Sequence, residues 1–163
     1  MEKRKIIIVG PAASGKDYLA KILCSNGLER GVFNTTRPPR DGEIDGVDYF
    51  FSNKSCYDGF DDKIVGDVYN NWVYWLTKEE YDLKDVFIMT PEYIDFLSKN
   101  GFRGECYVIY LDTPFLTRFL RLFRRGDCDS VIRRMKADRK QFRKFKDYDL
   151  RIRKSNIVFS IDK

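Results

Sequence analysis

Histidine is absent from this 163-residue chain, and that absence removes a large part of enzymology. No Ser-His-Asp triad, no imidazole-ligated metal and no imidazole acid–base step can be assembled. Whatever chemistry occurs must run on lysine, arginine, carboxylates and a bound ion. Cysteine is sparse too: Cys24, Cys56, Cys106 and Cys128 are scattered, with no C-x-x-C pair, and read as reduced thiols of a cytoplasmic protein. No apolar run approaches the length needed to span a bilayer. The Ile6–Val9 stretch after the basic start is too short for a signal-peptide core. Repeats and low-complexity linkers are also missing.

What is present is a hydrophobic content of 43%, which argues against disorder, in a length that suits one domain with a real core. The formal charge is +5, and half of the 30 lysines and arginines fall between Arg118 and Lys154. Two readings of that basic region stand side by side: a nucleic-acid surface, or an arginine-lined clamp for polyphosphate. Lone charges on the helix that includes Arg133, Lys136, Arg139, Lys140, Arg143 and Lys144 read as a solvated face.

Residues Gly10 to Asp17 read Gly-Pro-Ala-Ala-Ser-Gly-Lys-Asp directly after the apolar run Ile6–Val9. A buried strand feeding a glycine-bearing loop, which then opens a helix, is the arrangement that cradles phosphate. Backbone N–H groups point inward and the positive end of the helix dipole faces the same spot. Gly10, Ala13, Ser14, Gly15, Lys16 and Asp17 are therefore the candidate phosphate-binding residues, with Lys16 supplying a mobile charge. The usual pattern ends in Lys followed by Ser or Thr, whose hydroxyl meets Mg²⁺. Asp17 stands there instead, and its carboxylate is the candidate metal ligand.

The rest of the chain alternates strand and helix, which predicts an α/β fold with a parallel sheet flanked by helices. Strands are expected at Lys5–Val9, Asp85–Met89, Cys106–Leu111 and Ile157–Ile161. Helices are expected over Lys16–Asn26 and from Thr90-Pro91 to Asn100, closed by Gly27 and Gly101. A third helix, capped by Asp112-Thr113-Pro114, carries Phe115, Leu116, Phe119, Leu120 and Phe123 on one broad face. A basic helix follows from Ser130 to about Lys146. Between Gly31 and Thr77, turn residues and short aromatic runs predict a small β-rich insertion.

Inside that insertion, Thr35 to Phe51 read Thr-Thr-Arg-Pro-Pro-Arg-Asp-Gly-Glu-Ile-Asp-Gly-Val-Asp-Tyr-Phe-Phe. The Pro38-Pro39 step fixes φ at both prolines and limits the freedom of Arg37 and Arg40. Two guanidinium forks on a stiff turn suit one phosphate, and Tyr49 can add a hydroxyl. A solvated surface hairpin is the alternative reading of the same residues.

This segment resembles the substrate-phosphate motif of guanylate kinases nearly residue for residue. With the loop before it, the chain is similar to that family from about residue 5 to 155. The resemblance implies a P-loop NTPase-type sheet in a single domain spanning 1–163. Its core would be 1–30 and 78–163, its NMP-binding insertion 31–77 and its short lid about 124–130. It implies ATP-dependent phosphoryl transfer to a nucleoside monophosphate, GMP or dGMP, with Mg²⁺ as cofactor. Arg37, Arg40, Tyr49 and Tyr74 would hold the acceptor phosphate. Arg121 and Arg125, in Leu120–Gly126, keep the spacing of the lid arginines, and Arg134 falls at the third. Lys16, Arg121, Arg125 and Arg134 are then the expected catalytic residues. On this reading the partners are ATP and a nucleoside monophosphate, with neither membrane nor nucleic acid.

The chain departs from the family at several positions. The acidic residues that guanylate kinases direct at the guanine edge are not in place: Val65 falls at the first, with Asp67 two residues away as a substitute, and the strand ending Phe87–Thr90 carries no carboxylate. Phe33 replaces a base-contacting serine. The family's final helix is expected to be absent. A non-catalytic binding module on the same fold, or a kinase of another deoxynucleotide or a sugar phosphate, remain the alternatives.

Overall fold

A computed structural model describes residues 4–53, 57, 63–69, 71–124 and 128–153, with the backbone alone described at 67, 69 and 128–130. In chain order the elements are β1 (Lys5–Val9), α1 (Lys16–Ser25), β2 (Asn34–Thr35), β3 (Phe50–Phe51), β4 (Lys63–Tyr69) and β5 (Trp72–Thr77). They continue with α2 (Lys78–Leu83), β6 (Val86–Met89), α3 (Pro91–Lys99), a 3₁₀ turn (Phe102–Glu105), β7 (Cys106–Leu111), α4 (Phe115–Phe123), α5 (Cys128–Phe142) and β8 (Leu150–Ile152).

Strands β6, β1, β7 and β8 form a four-stranded parallel sheet in that spatial order. The unbroken apolar run of β1 is what the sheet needs, since successive side chains face opposite sides and both are covered. Ile7 and Val9 pack on one side with Phe87, Met89, Val108, Tyr81, Ile94 and Leu97. Ile8 packs on the other with Val86, Ile109, Leu111, Leu19 and Ala20. Helices α2 and α3 thus cover one face and α1 the other, which is why the strands read as continuous hydrophobic runs. The second sheet, β3-β2-β5-β4, lies within residues 34–77 and pairs β5 antiparallel with both β2 and β4.

Two expectations are revised, and a third falls outside the described residues. The strand expected at Ile157–Ile161 lies outside the described residues; the fourth strand of the parallel sheet is β8, which the charged flanks of Leu150-Arg151-Ile152 conceal. The Asp112-Thr113-Pro114 cap does not form: Pro114 is the N-cap and makes no side-chain bond to the helix. Thr113 bonds Ser14 O instead, and Asp112 pairs with Arg151. Finally, the broad apolar face of α4 is not buried. Phe115, Leu116, Leu120 and Phe123 are exposed, while Arg118 and Leu122 turn inward. Polar demand from the neighbouring loop, described below, decides that rotation.

Gly31 sits where its N–H bonds Val86 O at 2.8 Å, and a Cβ there would collide with the fully buried ring of Phe87. Gly31→Ala should therefore lower stability by about 1–3 kcal/mol, the usual cost of overpacking a core. Urea denaturation reads this as a reduced midpoint with an unchanged slope; an unchanged midpoint would contradict the packing described.

Candidate active site

The loop from Gly10 to Gly15 has every backbone carbonyl engaged. Lys16 Nζ donates to Gly10 O at 2.7 Å and to Pro11 O at 3.0 Å. Arg118 Nη1 reaches Ala12 O at 3.4 Å, Arg121 Nη1 reaches Ala13 O at 3.1 Å, and Thr113 Oγ1 reaches Ser14 O at 2.8 Å. The first helical bond of α1, Leu19 N to Gly15 O, takes the last at 3.0 Å. Buried backbone polar groups need such partners; on the N–H side of the loop, Ala12 N donates to Asp138 Oδ2 at 3.0 Å and Ser14 N to Pro11 O at 3.2 Å. Ala13 and Gly15 adopt left-handed backbone angles, φ 57° and 101°, which alternate with right-handed residues to make an anion-binding concavity. A Cβ on Gly10 would lie 2.6 Å from Ser14 Oγ and 2.9 Å from Leu111 O, so only glycine fits there. Ser14 itself is buried and its hydroxyl has no hydrogen-bond partner among the described residues.

Asp17, in the first turn of α1, is 72% exposed and pairs with Arg30 Nη2 at 3.4 Å. Among the described residues no group of three or more His, Cys, Asp or Glu could hold a metal ion. An oxygen donor standing alone at a phosphate loop still suits Mg²⁺, which takes one or two carboxylates and completes its shell with phosphate oxygens and water.

On the other side, the Arg37–Arg40 turn is organised by Glu43. Arg37 is buried and donates through Nη2 to both Glu43 oxygens at 2.9 and 2.8 Å, and through Nη1 to Pro38 O at 2.8 Å. Glu43 also accepts the Arg40 N–H at 2.8 Å and lies 3.9 Å from Arg40 Nη1. Arg40 keeps its guanidinium largely in solvent. Burial works against the Arg37 charge, but Glu43 more than offsets it, so the guanidinium's pKa sits above its ordinary value. The Arg37 fork lies 5.3 Å from the Tyr49 ring centroid, and Tyr49 meets Tyr74 edge-on at 5.9 Å.

Tyr49 is half-buried beside this turn. Burial pushes its phenol pKa up, Tyr74 adds to the rise and Arg37 opposes it; the Asp17 carboxylate contributes as well. Tyr74 stands opposite Thr35 on one neighbouring strand and opposite Asp67 on the other. Val65 and Phe33, the residues expected at the family's base-reading positions, are core residues, with Phe33 stacked on Tyr93 at 5.3 Å.

Of the three arginines expected in the lid, Arg121 reaches the loop, Arg134 is half-buried on α5, and Arg125 lies outside the described residues; of the lid expected at about 124–130, residues 125–127 lie outside them and α5 already begins at Cys128. Arg133, Lys136, Arg139, Lys140, Arg143 and Lys144 are all exposed. Sequence reasoning passed over Glu43, Arg30, Arg118 and Asp138. Glu43 had a visible signal, since it sits three residues after Arg40 inside the Pro-Pro turn. Arg118 and Asp138 had none, each being a charge within an amphipathic or basic helix.

The likenesses to known proteins point the same way. A family model described as Guanylate kinase matches residues 2–64. The guanylate kinase of Bacillus subtilis (strain 168) is 31% identical over 179 residues, spanning 100% of this chain and 87% of that protein. That of Halalkalibacterium halodurans is 28% identical over the same span and shares. The crystal structure of guanylate kinase from Anaplasma phagocytophilum superposes with a TM-score of 0.70 at 19% identity, covering 96% of this chain and 79% of that one. Its fold is shared. Taken with the B. subtilis identity along the whole length, the glycine loop and the Glu43-braced arginine turn are this chain's version of a known architecture: it belongs to the guanylate kinase family.

Proposed function

We propose that the chain transfers the γ-phosphoryl group of ATP to GMP or dGMP, giving ADP and the nucleoside diphosphate. The observation that carries this reading is the presence of two cationic sites, a phosphate loop with Lys16 and Arg121 and a turn with Arg37 and Arg40 braced by Glu43.

Phosphoryl transfer asks for alignment and charge neutralisation more than covalent chemistry. The N–H groups of the loop and the Lys16 ammonium hold the donor's β- and γ-phosphates. Arg37, Arg40, Tyr49 and Tyr74 hold the acceptor phosphate so that one of its oxygens faces the γ-phosphorus. That oxygen forms the new P–O bond as the bond to the β-phosphate oxygen breaks, and the electron pair leaves with ADP. Arg121, Arg125 and Arg134 spread the charge that builds on the transferring group. Arginine suits this role because its charge cannot be lost and its fork bridges two phosphates. Mg²⁺, when bound with ATP, supplies further neutralisation of the donor oxygens, and Asp17 is the residue that would meet it. Val65 and Phe33 lie in the core and bring no carboxylate to the base, and Asp67 is the acid nearest in sequence to that role.

Two substitutions test the two cationic sites. Lys16→Ala and Arg40→Ala should each lower turnover of GMP by at least about 100-fold, the scale of one lost electrostatic contact in a transition state. A coupled ADP-release assay over all common ribo- and deoxyribonucleoside monophosphates reads both variants and the parent. GMP or dGMP should be the best substrate; a parent that prefers another acceptor would redirect the assignment, and an Arg40→Ala variant as fast as the parent would remove the acceptor site. A third substitution addresses the metal. Asp17→Ser restores the common hydroxyl and gives up one 3.4 Å contact between the exposed Asp17 carboxylate and the part-buried Arg30 guanidinium. Mg²⁺-dependent turnover should hold or rise, whereas its collapse would make the carboxylate itself indispensable.

A further inference from the structure

We infer that Asp138 and Arg118 form a latch that shapes the ATP-phosphate loop and fixes both arginine-bearing helices to it. They are positioning residues, outside the set that touches substrate. The inference rests on reading the Gly10–Asp17 loop as the ATP site.

Asp138, on α5, accepts the Ala12 N–H through Oδ2 at 3.0 Å, and the same oxygen accepts from Arg118 Nη1, on α4, at 2.8 Å. Arg118 Nη1 also reaches Ala12 O at 3.4 Å and Met135 Sδ at 3.5 Å, while its Nε donates to Thr113 O at 3.2 Å. One ion pair therefore grips both ends of a single loop residue, its N–H and its C=O. The two side chains are only 10% and 13% exposed. A pair so sheltered is costly to half-remove, because the survivor is left as a buried unpaired charge.

Position along the helices gives the pair its meaning. Arg121, which holds Ala13 O, follows Arg118 by three residues on α4. Arg134 precedes Asp138 by four residues on α5. At these spacings helical residues share a face, so each latch residue stands one turn from a lid arginine. Val131 and Met135 of α5 pack with Leu122 of α4 against Ala12 and Ala13, which closes the apolar side of the same junction. The Asp138 charge is cancelled by Arg118, so a carboxylate can bond a phosphate-loop N–H without leaving net negative charge beside the triphosphate. Loss of the latch frees the Ala12 peptide to rotate, and with it the concavity formed by Ala13 and Gly15.

Calorimetric titration of ATP–Mg²⁺ and, separately, GMP into the full chain tests this. The double variant Arg118→Met, Asp138→Leu replaces the pair by apolar groups, a change buried ion pairs commonly tolerate. It should melt close to the parent yet bind ATP at least tenfold more weakly, with GMP affinity within twofold. Asp138→Asn keeps an oxygen on the Ala12 N–H but leaves the buried Arg118 charge unpaired, so it should melt lower than the parent while weakening ATP less than threefold. ATP affinity within twofold of the parent in the double variant overturns the latch, as does an equal fall for ATP and GMP. If the double variant does not fold, Arg118→Lys decides: a lysine cannot hold Thr113, Ala12 and Asp138 together and should weaken ATP at least threefold, and unchanged affinity rejects the inference. A parent that binds ATP but does not phosphorylate GMP refutes the proposed activity while leaving the latch measurable; a parent that binds no ATP ends both.

Discussion

A tight loop that exposes its N–H groups to an anion must do something with its carbonyls. In this chain each carbonyl from Gly10 to Gly15 is taken by a named donor, and four of those donors, Lys16, Thr113, Arg118 and Arg121, are side chains. Three of the four come from the segment between β7 and the end of α4, about a hundred residues further along the chain. The parallel sheet makes this possible: β1 and β7 are neighbours, in register from Lys5 with Cys106 to Val9 with Tyr110. Both strands end at the same edge, so the loop after one and the turn after the other emerge side by side.

That arrangement also explains the odd surface of α4. An amphipathic helix ordinarily turns its apolar stripe to the core, but here Phe115, Leu116, Leu120 and Phe123 are exposed. The opposite stripe holds Arg118 and Leu122, and Arg118 makes several hydrogen bonds to or around the loop. An unpaired carbonyl or guanidinium in that position would cost a buried hydrogen bond or more. Satisfying the loop outweighs burying the stripe. The exposed rings recover part of the loss by stacking along the helix, Phe115 on Phe119 and Phe119 on Phe123, each at 6.2 Å.

The insertion solves a different problem, holding like charges close together. Arg37 and Arg40 both look for an anion, and Glu43 keeps them near each other by bonding the fork of one and the backbone of the other. A carboxylate placed there stabilises the charged arginine in a partly dry setting, as the raised Arg37 pKa records. Tyr49 lies against the Arg37 fork and meets Tyr74 edge-on, so the braced turn has an aromatic wall.

Much of this was written in local sequence. The Lys5–Val9 and Cys106–Leu111 strands, the helix starting at Lys16 and ending before Gly27, and the helix opened by Pro91 each depend on neighbouring residues: apolar runs, a proline at the first turn, a glycine past the end. The glycine loop and the double-proline turn are likewise local, because backbone angles and spacing define them. What no local pattern could carry is pairing across the chain. Whether Asp138 faces water or the Ala12 N–H, whether Arg118 points out or in, and whether three residues flanked by charges become the edge strand β8 depend on which segments the sheet brings together. A short polar stretch has no preference strong enough to decide its own place; long-range partners decide it, and those exist only once the chain has folded.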